Sequence, residues 1–180
     1  MPSSIRLGAV LFAGLLLAAC SSAPPRTAAS AATERSIAAV RLDPGEALAD
    51  LNAYRTGLGL APVRLDPALS GMSQTQAAAM VAANQMSHDV KGSFTSRLAA
   101  AGIATSEAGE NLGAGYRSVA EAMDGWRHSP EHDANLRLAR VTRFGIALAK
   151  DPTTQYGVYW AMVVAAEPPS AGSGALMLAQ

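Results

Sequence analysis

His88, His128 and His132 are the chain's three imidazoles, and Cys20 is its one thiol. The polar groups near them fall into short runs: Ser87-His88-Asp89, Gly109-Glu110-Asn111, and Trp126 through His132 with Asn135 following. Two imidazoles and a carboxylate, His88, His132 and Glu110, could converge as metal ligands or as an acid/base cluster. Spacing also leaves open that they are surface or helix-end hydrogen-bonding groups. The sequence has no Gly-x-Ser-x-Gly elbow, no His-Glu-x-x-His helix and no thiol besides Cys20, so a hydrolase built on it would have to work through a metal or an activated water.

The elements that must position these residues are legible from caps and periodicity. Asp43 with Pro44 is a helix start, and Ala47, Leu48, Leu51 and Tyr54 recur at helical spacing until Gly57. Asp66 with Pro67 repeats the signal and predicts a second helix running to Met86 or Ser87. A shorter helix is expected over Phe94 to Ala101, stopped by Gly102. Ser118 and Glu121 form a capping box ahead of Ala122, Met123 and Trp126, and Pro130 marks that helix's end or another short turn. The last third changes period: Arg143 to Ala149 and Tyr156 to Ala165 read as an antiparallel hairpin, with Leu112 to Tyr116 as a further short strand. Helices followed by a hairpin predict an α+β layered domain.

Composition narrows the function classes. Fourteen Lys and Arg balance fourteen Asp and Glu, a poor match to a phosphate backbone, so no nucleic-acid partner is expected. Aromatic residues are 5% of the chain, too few for a stacking platform, while 49% hydrophobic content is enough to bury a core. The first nineteen residues read as a signal peptide: Arg6 supplies positive charge, and residues 7–17 are apolar but too short to span a bilayer. Leu17-Ala18-Ala19-Cys20 looks like the bacterial lipobox, which makes Cys20 the lipidation site and the bilayer a partner. The expected localisation is therefore extracytoplasmic and membrane-anchored; with Ser21 after the cysteine, the outer membrane is favoured in a Gram-negative host. Residues 20–42 are expected to be a flexible tether, residues 43–166 the folded domain, and residues 167–180 a tail.

The runs LNAYRTGLGLAPVRLDPALS, SHD, SRLAAAGI, GENLGAGY, DGWRHSPEHDAN and FGIAL…YGVYWAMVVA occur in the order seen in the bacterial CAP superfamily, also called SCP-like domains. The resemblance covers about Pro44 to Ala165. It implies a three-layer α-β-α sandwich and a cleft in which His88 matches the first family histidine, Glu110 the glutamate of a GEN-type motif and His132 the second histidine. Two imidazoles and one carboxylate are chemically enough for a three-ligand site with an open position, so a weakly held divalent metal such as zinc is the cofactor expected, if any, on His88, Glu110 and His132. The second family glutamate is replaced by Ser129, and Glu121 lies too early on its helix to fill the role by register.

The reading that follows is a binding module for a small lipid or envelope ligand in a His/Glu-lined cleft. A structural or interaction protein of the cell envelope and a weak metal-assisted, peptidase-like hydrolase are the alternatives, so enzymatic activity stays open. Arg55 and Arg97 are expected on solvated helix faces, though within reach of acidic residues around the cleft. Asn111 and Asn135 are expected to fix backbone, Trp126 and Trp160 to anchor the core, and His128 to be exposed. Asp89 either orients the His88 ring or faces water.

Overall fold

The computed structural model describes residues 24–168. The signal peptide and Cys20, and residues 169–180 of the expected tail, lie outside the described residues.

The sheet is laid down by the C-terminal hairpin, β3 (Val141–Lys150) and β4 (Val158–Ala166), which pair antiparallel. Every residue of β4 is buried, as its unbroken apolar run requires of a strand covered on both faces. β2 (Ala108–Ala114) adds antiparallel to β4, and the two-residue β1 (Arg64–Leu65) adds parallel to β3, giving the order β1-β3-β4-β2. β2 starts earlier than its apolar content suggests, because the polar Glu110 and Asn111 sit inside it.

Side chains of β4 alternate between two cores, as a period of two demands. Val158, Trp160, Met162 and Val164 face one cluster, with Ala47 and Leu51 of α2 (Pro44–Gly57), Met123 and Trp126 of α5 (Val119–Arg127), and Leu136 of α6 (Pro130–Leu136). Val163 and Ala165 face Leu69 and Met72 of α3 (Pro67–Ala83) and Leu98 of α4 (Phe94–Ala100), while Tyr159 and Ala161 meet Ala77 and Met80 of α3. The result is helices on both faces of one sheet, the α-β-α sandwich expected. Gly145 of β3 lets α3 approach: a Cβ there would sit 2.3 Å from the backbone of Leu69 and Ser70.

Two further boundaries differ from expectation. α3 ends at Ala83, because Asn84 takes the left-handed conformation (φ 49°) and closes the helix as its C-cap. Its side chain then ties three segments, donating to Pro24 O (2.8 Å) and accepting from Gln155 N (2.7 Å) and the Tyr159 hydroxyl (3.2 Å).

The second correction concerns the flexible tether expected over residues 20–42: residues 31–39 form a helix, α1 (Ala31–Ala39), capped by Ser30. It is Ala-rich, lacks the Asp-Pro start of α2 and α3, and buries only Ile37, so no run of large apolar residues marks it. Yet Ile37 and Val40 enter the main core, and Ile37 Cδ1 occupies the space a Cβ on Gly157 would fill. At the other end, Glu167 pairs with Arg64 (2.8 Å) and accepts from Thr142 (2.9 Å), fastening the first residue of the expected tail.

Candidate functional site

The site forms at the free edge of β2. Carbonyl groups on that edge would be orphaned acceptors, and side chains from α5 and α6 satisfy them: Trp126 Nε1 donates to Leu112 O (2.9 Å) and Asn135 Nδ2 to Glu110 O (3.1 Å). Asn135 also donates to Asn111 Oδ1 (2.9 Å), and Asn111 Nδ2 donates to His132 O (3.0 Å). Gly109 permits this seam, since a Cβ there would lie 2.5 Å from Asn135 Oδ1. Asn111 and Asn135 thus fix backbone, as expected, and in doing so they carry α6, with His132, against the strand that bears Glu110.

Glu110 itself points to the α3/α4 face. Its carboxylate is buried and gripped by the Arg97 fork, Nη1 to Oε2 at 2.5 Å and Nη2 to Oε1 at 2.8 Å. Arg97 is buried too, contrary to the expected solvated helix face: α4 turns it inward, where its remaining donors reach Gly92 O (3.2 Å) and His88 O (3.1 Å). From the other side Gln76 of α3 donates to Ser87 O (2.8 Å). The segment carrying His88 is therefore held from two helices.

The His88 ring donates through Nδ1 to Glu110 Oε1 at 2.7 Å, because an ionised carboxylate can only accept. That bond fixes the ring's orientation and leaves Nε2 as its outward polar atom, on a side chain 52% exposed over a carboxylate 2% exposed. Glu110, not the exposed Asp89, orients the imidazole. His132 is half-buried, and its pKa lies below the ordinary imidazole value; desolvation is the main cause, the charge of His88 adds to it, and Glu131 opposes it. Among the described residues no side-chain hydrogen bond joins the two rings, and the link between them is one of charge.

Other named residues stand apart. His128 is exposed and bonds its own helix at Asp124 O (2.9 Å). Glu121 donates its N–H to the N-cap Ser118 Oγ (3.1 Å), and its carboxylate reaches past the cap to accept from Arg117 N (2.8 Å). Ser129 is the N-cap of α6 and makes no side-chain cap bond. Arg55 is wholly buried, again contrary to a solvated face, and donates to the carbonyls of Ala61, Leu136, Leu138 and Val141 between α2 and α6.

The expected three-ligand zinc set does not fit this arrangement. Both oxygens of Glu110 are committed to Arg97 and His88, and among the described residues no group of three His, Cys, Asp or Glu side chains is placed to hold a metal ion. Only the two imidazole nitrogens remain as donors.

Behind Arg97 lies an apolar cavity of about 600 Å³ between α3 and α4, lined by Met72, Thr75, Lys91, Ala100 and Ala101 together with Arg97 itself. Sequence reasoning did not find it, because small residues facing each other across two helices carry no distinct signal in one dimension.

Among solved structures, the chain is similar to an extracellular SCP-domain protein of Bacillus anthracis, at 22% identity and TM-score 0.60 over 68% of this chain and 40% of that one. It is also similar to an outer surface protein of Borrelia burgdorferi, at 18% identity and TM-score 0.61 over 70% of this chain and 96% of that one. A cysteine-rich secretory protein of Staphylococcus aureus matches at 16% identity and TM-score 0.55, over 68% of this chain and 39% of that one. The chain thus spans well under half the length of the Bacillus and Staphylococcus proteins, and at these identities the likeness is one of fold. No curated protein matches it in sequence. The profile of the cysteine-rich secretory protein family, CAP, matches residues 48–164, a span that holds all of the sheet but the last two residues of β4, both histidines of the site, Glu110 and Arg97, and the chain belongs to that family.

Proposed function

We propose that the protein is a lipid-anchored extracytoplasmic binding module, attached through Cys20, that takes a small lipid or related envelope ligand with a hydroxylated head. The observation that carries the reading is the double role of Arg97. Its guanidinium holds Glu110 behind the exposed His88 ring, and the same residue lines the apolar cavity between α3 and α4. Arg97 thus links the polar His88–Glu110 pair to an apolar cavity of ligand-sized volume, which supports a ligand with a polar head and an apolar body. The Glu110–Arg97 pair is internally neutral, so the cleft offers hydrogen bonds more than net charge. His88 presents Nε2 as an acceptor, and His132, shifted toward its neutral form, offers one donor and one acceptor. A hydroxyl, which both donates and accepts, suits that pair, and an alkyl chain suits the cavity.

Titration of the purified domain with a fluorescent fatty alcohol tests this. Saturable binding is expected, weakened about 2- to 10-fold in His88→Ala by loss of one hydrogen bond, and abolished in Ala100→Trp, which fills the cavity without touching the histidines. Absence of saturable binding, or unchanged binding in both variants, would overturn the reading.

A further inference from the structure

Residues 24–27 lie against the domain at one pole. Asn84 donates to Pro24 O (2.8 Å), the Arg26 guanidinium donates to Val81 O (2.7 Å) and Ala82 O (3.2 Å) and pairs with Asp151, and Thr27 N donates to Thr153 O (3.0 Å). All these partners belong to the C-terminal end of α3 or to the turn between β3 and β4. Four residue steps connect Pro24 to Cys20, a covalent reach of at most ~14 Å. Whatever Cys20 is attached to must lie close to this pole.

The same pole carries exposed apolar side chains. Met86, two residues beyond Asn84, is 46% exposed, and Tyr156, beside Gln155 in the turn, is 37% exposed. Tyr156 stands edge-on to the buried Tyr159, whose hydroxyl bonds Asn84, so its ring is braced where it emerges. Lys150 and Arg41 flank the turn near the end of α1, where both donate to Val40 O (2.8 and 3.0 Å); Arg41 is exposed, while Lys150 is half-buried and its pKa is lowered by desolvation and by the charge of Arg41. The carboxylate in the turn, Asp151, is already paired with Arg26.

We propose that this pole, made of residues 84–86, the 151–157 turn and the docked residues 24–27, is a membrane-seating surface. Tyr156 and Met86 enter the lipid interface, and Lys150 and Arg41 meet anionic headgroups. A tyrosine with an apolar ring and a polar tip favours that depth, and cations beside it gain from a negative leaflet surface. The seating gives the candidate cleft a fixed standoff. Glu110 pairs with Val163, four residues along β4 from Tyr159, which at ~3.4 Å per residue places it ~14 Å up the sheet from the Asn84 level. The inference rests on acylation of Cys20, the anchor already proposed.

The test uses the full chain, processed in a bacterial host and reconstituted in vesicles of phosphatidylethanolamine and phosphatidylglycerol. Intact mass first reads whether Cys20 carries acyl groups. Acylation consumes the only native thiol, so single cysteines introduced as Tyr156→Cys, Met86→Cys and, at the opposite pole, Ala139→Cys can each be labelled with an environment-sensitive fluorophore. Brominated lipids should quench the labels at positions 156 and 86 and leave the label at 139 bright, and Arg26→Ala should reduce the contrast by loosening the docked segment. Missing acyl groups would overturn the anchor and this inference together. Acylated protein whose label at 156 is quenched no more than the one at 139 would overturn the orientation alone and leave the anchor standing.

Discussion

At the scale of single residues, the site is organised around a buried carboxylate that is already satisfied. Glu110 and Arg97 are 2% and 6% exposed at the side chain, so each would be a costly buried charge without the other. Their pairing leaves one further acceptor position on Oε1, which His88 fills; the ring is oriented by a group that cannot easily move. His132 offers a check on how closely the two imidazoles sit. Partial burial and the His88 charge both disfavour its protonated form. We expect its titration, followed by NMR of the ring protons, to have a midpoint below the free-imidazole value and to move upward in His88→Ala. A midpoint unmoved by that substitution would show that the two rings do not face each other. The sign for stability follows from linkage: the unfolded chain binds the His132 proton more readily than the folded one, so stability from this group is full above the ordinary imidazole pKa. It is lost as pH falls through that value toward the lower folded one.

At the scale of elements, what matters is how closely α3 and α6 approach the sheet. α3 crosses β3 over Gly145, where a methyl group would meet helix backbone at 2.3 Å, and backbone cannot swing aside as a long side chain can. Gly145→Ala should therefore destabilise the domain by about 1–3 kcal/mol, read as a lower midpoint in urea or thermal unfolding. An unchanged midpoint would show that α3 stands farther off the sheet. α6 approaches through the Asn111–Asn135 seam, which uses hydrogen bonds where α3 uses apolar contact. That difference places polar groups on the β2 edge while α3 and α4 flank a half-open apolar pocket.

At the scale of the whole molecule, the folded unit is larger than the segment with strong periodic signals. Ile37 and Val40 are 3% and 5% exposed, and residues 24–27 are bonded to the far end of α3 and the hairpin turn. A chain starting at Asp43 should consequently melt below one starting at Pro24. Ile37→Ala in the longer chain should cost about 2–5 kcal/mol through the cavity it leaves beside Gly157. Identical melting of the two chains in calorimetry would mean that α1 adds nothing to the core.

The sequence by itself determined the class of fold and singled out His88 and Glu110, which the structure joins by a hydrogen bond. Asp-Pro starts, the capping box at Ser118 and the switch to strand composition after Arg143 are local signals, and local chemistry alone dictates them. His88, Glu110 and His132 were recognisable from short motifs whose order the chain preserves. Tertiary structure decided what those motifs do. Arg97 reads as an ordinary helix-surface arginine until α4 packs against the sheet and turns it onto Glu110, which withdraws that carboxylate from metal binding. Likewise α1 is an Ala-rich stretch with a single large apolar residue; only the space over Gly157 gives Ile37 a reason to be buried, and that space belongs to a hairpin turn more than a hundred residues away in the chain.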